Sequence, residues 1–253
     1  MAKIITIANQ KGGVGKTTTT AALADGLKQK GFKVLLIDLD GQGNLSYTAR
    51  ANTNGLTSYE VLHGLTTAKK AIQHTEAGDI IAASPNLAGS DKDITGAGAD
   101  KRLKEALELI KSEYDFIIID APPSLSILTV NALTAADSLI ITAQADIYSL
   151  QGIGQLYATI RAIQQTTNKN LNIEGILLTR YNSRSILTRD LTEIAEQTAA
   201  QFKTKVFKTK IREGIAVKEA QASGQSVLTY NPKSNPAKDY KDFIKELLGG
   251  FKK

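Results

Sequence analysis

The chain has 253 residues, 42% of them hydrophobic, with a net charge of +6, one methionine and no cysteine. That length suits one large domain with a substantial core, and the lack of cysteine excludes disulfides and thiolate-held iron–sulfur clusters. No apolar run approaches the roughly 18 residues needed to cross a bilayer, and Met1-Ala2-Lys3-Ile4 has no secretory leader pattern, so a cytoplasmic protein is expected.

The apolar run Lys3–Ala8 predicts the first strand. Lys11-Gly12-Gly13-Val14-Gly15-Lys16-Thr17-Thr18 follows, and then a helix over Lys16–Gln29. Strand, glycine turn and helix are the setting of a phosphate-binding loop. Its glycines let backbone N–H groups converge on phosphate oxygens, and the helix N-terminus adds partial positive charge. Lys16 is placed to reach the β- and γ-phosphates, and the Thr17 hydroxyl suits Mg²⁺. Gln10 stands where the pattern G-x-x-x-x-G-K-[ST] would have glycine, and a second lysine, Lys11, sits at the loop's mouth.

Further along, Lys33–Ile37 reads as a strand that leads to Asp38 and Asp40. If the strand persists, both carboxylates project to one side. Gly41–Gly55 and Ser84–Asp100 read as loops, Tyr59–Leu62 and Lys101–Tyr114 as helices, and Asp79–Ala83 as a strand. Phe116–Asp120 is a continuously apolar strand ending in a carboxylate, ahead of a stiff Pro122-Pro123 turn. Strands are expected at Ser138–Ala143, Ile173–Thr179 and Val206–Thr209. Helices are expected at Ser126–Ala136, Leu150–Thr166, Thr188–Gln201, Gly214–Ala222 and Ala237–Leu248. Continuously apolar strands need cover on both faces. The alternation therefore predicts an α/β fold: a doubly wound, mostly parallel sheet flanked by helices, with one domain over 1–253. The loop, Asp38, Asp40 and Asp120 then gather at the carboxyl edge of the strands, where such sheets bind ligands. His63 and His74 have no partner constellation and receive no metal role.

Charge collects late in the chain. Residues 200–253 hold twelve Lys/Arg against five Asp/Glu, and Lys203–Lys218 alone holds six against one. This asymmetry fits a polyanion partner, either nucleic acid or an anionic membrane surface; it also fits a plain solvated face. Asp239–Lys253 places Phe243, Ile244, Leu247, Leu248 and Phe251 at helical spacing, which reads as core packing or as a membrane-binding amphipathic helix.

The double-lysine loop resembles the deviant Walker A signature of the ParA/MinD group of P-loop ATPases, and Asn9-Gln10-Lys11 through Thr18 has the ParA form. Val34 through Asn44, Phe116 through Ser124, Asn131 through Asp137 and Tyr230-Asn231-Pro232-Lys233-Ser234 resemble further ParA blocks in order, covering nearly the whole chain. The resemblance implies an Mg²⁺-dependent ATPase with ATP and Mg²⁺ as its ligands. Gly12, Gly13, Val14, Gly15, Lys16, Thr17 and Thr18 would hold the phosphates, with Asn231 and Pro232 beside the base. Thr17, Asp38 and Asp120 would serve the metal, and Asp40 would orient the attacking water. Gly41 stands where the family usually has proline. Lys11 reads either as a solvated surface charge or, by resemblance, as a group that crosses a dimer interface to the partner's phosphates.

Further implications concern partners. An ATP-dependent homodimer would bind double-stranded DNA nonspecifically and respond to a ParB-like centromere-binding protein. Candidate phosphate contacts are Arg184, Arg189, Lys203, Lys205, Lys208, Lys210, Arg212 and Lys218. Soj-type relatives place an arginine where this chain has Ala216. Alternative readings are a MinD-like membrane-associated ATPase and a ParA-like ATPase that positions a protein cargo. No stable membrane association is expected, and the location is expected to be the cytoplasm, on the nucleoid.

Overall fold

A computed structural model of the chain describes residues 1–251. Seven strands form one sheet: β1 (Lys3–Ala8), β2 (Val34–Asp38), β3 (Ile72–Thr75), β4 (Gly78–Ile81), β5 (Phe116–Asp120), β6 (Ser138–Gln144) and β7 (Asn172–Thr179). Their order across the sheet is β3-β4-β2-β5-β1-β6-β7. Every pairing is parallel except the β3–β4 hairpin at the edge.

Twelve helices accompany these strands among the described residues. The first six are α1 (Lys16–Lys28), α2 (Asn44–Thr48), α3 (Ser58–Leu62), α4 (Ala68–Ala71), α5 (Ser90–Asp93) and α6 (Arg102–Glu108). The rest are α7 (Ile127–Ala135), α8 (Ile147–Gln165), α9 (Ile186–Gln201), α10 (Ile215–Ala222), α11 (Val227–Tyr230) and α12 (Asn235–Phe251).

The apolar strands divide their side chains between two cores. Ile4, Leu35, Ile37, Ile117 and Ile119 pack with α6, α7 and α8 on one face. Ile5, Ile7, Leu36, Ile118 and Leu177 pack with α1, α10 and α12 on the other. Burial on both faces is why these strands read as unbroken apolar runs and not as alternating ones. Phe243, Ile244 and Leu247 of α12 are buried at 0–2% exposure in the second core, so the apolar face of that helix is taken up by packing. No helix among the described residues is long and apolar enough to cross a membrane.

The structure departs from the sequence expectation in several places. Val206–Thr209 is not a strand: Val206 makes one isolated bridge to Ile176, and the chain then turns because Glu246 accepts from the Lys208 and Thr209 amides (2.8 and 2.9 Å). The edge strand β3 is four residues, three half-buried and His74 exposed, too short to show a period. Loop Gly41–Gly55 contains α2, loop Ser84–Asp100 contains a 3₁₀ turn and α5, and Lys101–Tyr114 is cut to α6 and a 3₁₀ turn.

Candidate nucleotide site

β1 lies between β5 and β6 in the sheet, so the loop leaving its carboxyl end is anchored on both sides. The Asn9 amide donates to the Thr142 carbonyl (2.6 Å), and its oxygen accepts from the Lys11 N–H (3.0 Å). Gln144 donates to the Gly13 carbonyl (2.8 Å), and Thr179 donates to the Val14 carbonyl (2.9 Å). These bonds hold the carbonyls away from the cradle and leave amides to face an anion. Gly13 and Gly15 sit at φ 75° and 81°, a region side-chain-bearing residues avoid. Gly15 directly precedes α1 and is its N-cap, so the helix opens onto the cradle.

A cavity of about 630 Å³ opens over this loop. Gly12, Gly13, Gly15, Lys16, Thr17 and Thr18 line one side. Asp40, Asn44 and Tyr47 line a second, and Arg180, Ile211, Glu213, Val217 and Tyr240 a third. Val14 is buried beneath and contributes backbone only.

The charged cluster sits at the base. Lys16 Nζ donates to the Lys11 carbonyl (3.1 Å). Burial holds its pKa below the ordinary lysine value, against the pull of Asp120 and Asp40. Asp120 is 1% exposed and accepts from the Thr17 hydroxyl (2.7 Å). Burial, with the adjacent Asp38 charge, raises its pKa to about 8. The two carboxylates are register neighbours on β2 and β5. Among the described residues no group of three or more His, Cys, Asp or Glu could cage a metal. Mg²⁺ takes one or two carboxylates and completes its shell with water and phosphate. A buried, electrostatically crowded carboxylate beside a hydroxyl is a donor set that Mg²⁺ fits.

Asp38 corrects one expectation. The strand ends at Asp38, so Asp38 and Asp40 do not project side by side. Asp38 is fully buried and accepts from the Ser46 amide (2.8 Å), the Ser46 hydroxyl (2.7 Å) and the Asp40 amide (3.1 Å). Burial raises its pKa to about 6 despite those bonds. Its carboxylate anchors α2 beneath the cavity, and Asp40 alone of the pair reaches the lining.

Lys11 turns away from the cradle. Its ammonium meets both Asp146 oxygens (2.8 and 2.7 Å), keeps 31% side-chain exposure, and is not part of the cavity lining. Asp146 caps α8 by accepting from the Ser149 amide (2.9 Å). Burial would raise the pKa of Asp146, but the bonds from Lys11 and Ser149 outweigh it and hold the group below the ordinary carboxylate value.

Other expected residues fall elsewhere. Asn231 and Pro232 are exposed in the turn between α11 and α12 and do not line the cavity. Its far wall is built instead by the segments following β7 and preceding α10. Arg212 is not a free cation: its guanidinium grips Asp239 through Nε (2.9 Å) and Nη2 (2.6 Å), and it lines the cavity with Lys218. Arg184, Arg189, Lys203, Lys205 and Lys208 are exposed, and Lys210 lies 5.7 Å over the Tyr181 ring. Sequence reasoning missed Asp146, Thr179, Ser46 and Tyr240. Only Asp146 carried a local signal, as an acid three residues ahead of Ser149 at a helix start.

Fold and site together define a P-loop ATPase. A family model described as an AAA domain matches residues 2–173. The chain is 40% identical to the sporulation initiation inhibitor protein Soj of Bacillus subtilis, over 98% of both chains. It is 38% identical to the chromosome-partitioning ATPase Soj of Thermus thermophilus, over 96% of this chain and 94% of that one. Among solved structures, a cobyrinic acid a,c-diamide synthase from Mycobacterium smegmatis with bound ATP analog and magnesium superimposes with a TM-score of 0.86. It is 34% identical and covers 100% of this chain and 96% of its own. The chain belongs to the ParA/Soj family of partition ATPases within the ParA/MinD group.

Proposed function

We propose that this ATPase partitions a DNA cargo such as a plasmid or chromosomal origin, cycling between a free form and an ATP-bound homodimer that holds double-stranded DNA nonspecifically. The observation that carries the reading is the direction of Lys11. Lys16 alone serves the chain's own cradle, and Lys11 is parked on Asp146 outside it, available to another chain's phosphates. Thr17 and Asp120 hold the metal side of the site, and Asp40, on the lining, orients the attacking water. Mg²⁺, when bound, neutralises charge on the transferring phosphoryl group. Asp38 acts through α2 and Ser46 without touching the nucleotide.

The DNA surface is the exposed run of Lys203, Lys205 and Lys208 with Arg184, Arg189 and Lys218. None of these has an ion-pair partner within 4.0 Å among the described residues. Lys218 also borders the nucleotide cavity, as does Arg212, which is left out of this surface because Asp239 holds its guanidinium. A ParB-like partner stimulates hydrolysis and so releases the DNA, in the cytoplasm and on the nucleoid. The packed face of α12 argues against the membrane-binding alternative.

Light scattering with a nonhydrolysable ATP analogue and Mg²⁺ tests the central step. The native chain should form dimers. Lys11→Ala should bind the analogue within about threefold of the native affinity yet stay monomeric, because ATP drives pairing only through contacts made across chains. ATP-dependent dimers of the variant would reject the assignment.

A further inference from the structure

A second cavity, of about 470 Å³, shares α2 with the nucleotide site. Asn44 and Tyr47 line the nucleotide side of that helix, Leu45 and Ala49 line this one, and Thr48 borders both. The floor is Ala21, Ala24, Leu36, Leu45 and Ala49, all buried. Two alanines of α1 and Ala49, which caps α2, leave a hollow where larger side chains would have met. The β3–β4 turn and the segment joining α10 to α11 complete the walls.

Most polar groups at the mouth already have partners. Asp25 accepts from Thr229 (2.8 Å), Gln73 exchanges two bonds with the Asn52 backbone (2.7 and 2.8 Å), Lys28 donates to the Ala77 carbonyl, and His74 is bound to Asp79. Arg50 is different. Its guanidinium makes only long contacts, 3.5 Å to the Ser223 carbonyl and 3.9 Å to Glu76, whose side chain is 93% exposed. The Arg50 backbone stands at φ 53°, the left-handed region, held by its amide on the Tyr47 carbonyl (3.0 Å). With the Ala51 amide on the Ser46 carbonyl (2.9 Å), this is the left-handed cap that closes α2 and fixes where the Arg50 side chain leaves it. The opposing wall passes close: a Cβ at Gly224 would lie 3.4 Å from the Tyr47 carbonyl oxygen and 3.8 Å from Arg50 Nε.

We infer that this cavity is a second ligand site, distinct from the nucleotide cradle. Its ligand is a small amphiphilic organic anion, with a compact apolar body over the alanine floor and a carboxylate, sulfonate or phosphate on Arg50. An apolar floor beneath a polar rim, a volume of this size and one under-bonded cation suit a small molecule with one apolar and one anionic end, and a guanidinium fork matches such anions in pairs of hydrogen bonds.

The probe for the test is 8-anilinonaphthalene-1-sulfonate, an aromatic body carrying one sulfonate. It is titrated by fluorescence into the full chain with Mg²⁺–ADP at saturation to block the nucleotide cavity. One saturable site is expected. Arg50→Asn, which tolerates a left-handed backbone, should weaken the probe at least fivefold. Ala21→Leu, a good helix former that fills the hollow, should abolish binding while circular dichroism remains native. If Ala21→Leu fails to fold, Arg50→Asn decides alone. Unchanged affinity in Arg50→Asn, loss of the signal on adding Mg²⁺–ADP, or absence of saturable binding each overturns the site.

Discussion

Asp120 meets two conflicting demands. Continuous burial of β5 makes the strand stable, but it places a carboxylate out of water at the sheet edge, beside Asp38. Burial therefore raises Asp120 to about 8, and near neutral pH the free protein keeps a proton there. On the role proposed above for Asp120, Mg²⁺ takes the ionised carboxylate, so loading the site expels that proton. The sign follows directly: Mg²⁺–nucleotide affinity rises with pH from about 6 to about 8 and levels off above the raised pKa. Calorimetric titration at pH 7 in two buffers of different ionisation enthalpy should report release of up to about one proton. The release should shrink in Asp120→Asn. Equal heats in both buffers would refute this account.

Among the elements, α10 and α12 show how tightly the far wall of the cavity is fitted. Gly214 precedes α10 in extended backbone, and a Cβ there would lie 2.8 Å from Pro236 Cγ and 3.1 Å from Cδ, atoms of a rigid ring at the start of α12. Gly214→Ala must separate the two helix starts. It should destabilise the fold by about 1–3 kcal/mol, as overpacking does, and weaken nucleotide binding because Gly214, Arg212 and Val217 share that wall. Urea denaturation and nucleotide titration measure the two effects, and unchanged values in both would contradict the packing argument.

The same elements show what was legible beforehand. β1, β5 and the phosphate loop were readable because their chemistry is local: unbroken apolar residues, glycines at positive φ and a lysine at fixed spacing. The order of the elements was readable for the same reason. Asp38 was misread because its direction depends on where β2 stops and on Ser46, eight residues on in a helix too short to leave a periodic trace. The Arg212–Asp239 pair leaves no local trace in the sequence, because the two residues lie 27 positions apart. The segment near Val206 looked like a strand by composition, yet carboxylates on α12 decide its path.

At the scale of the whole molecule, charge is the organising feature. A net charge of +6 arises because cations dominate the last fifth of the chain, while the rest is close to neutral. If the six proposed cations, four of them from this stretch with Arg184 and Arg189 just before it, meet phosphates, the logarithm of the DNA affinity should fall against the logarithm of salt with a slope of about −5. Replacing Lys203, Lys205 and Lys208 with alanine should reduce that slope by about 2–3 at unaltered base composition preference. Filter binding of unrelated duplexes across a salt series gives the slope directly, and a slope near zero would remove the DNA reading.

The outer margin of β7 has a consequence for assembly. Ile176 and Tyr181 donate to the carbonyls of Lys205 and Ile211, and Phe207 and Ile211 donate back to Ile176 and Leu178. Thr204 closes the lower end through its hydroxyl on the Ile173 carbonyl (2.7 Å). No row of free amides is left on that flank to recruit a foreign strand. Growth of one sheet into the next is therefore blocked there by the same stretch that carries the lysines. An array joined across that flank is held by side-chain surfaces and can come apart without unzipping a backbone ladder there.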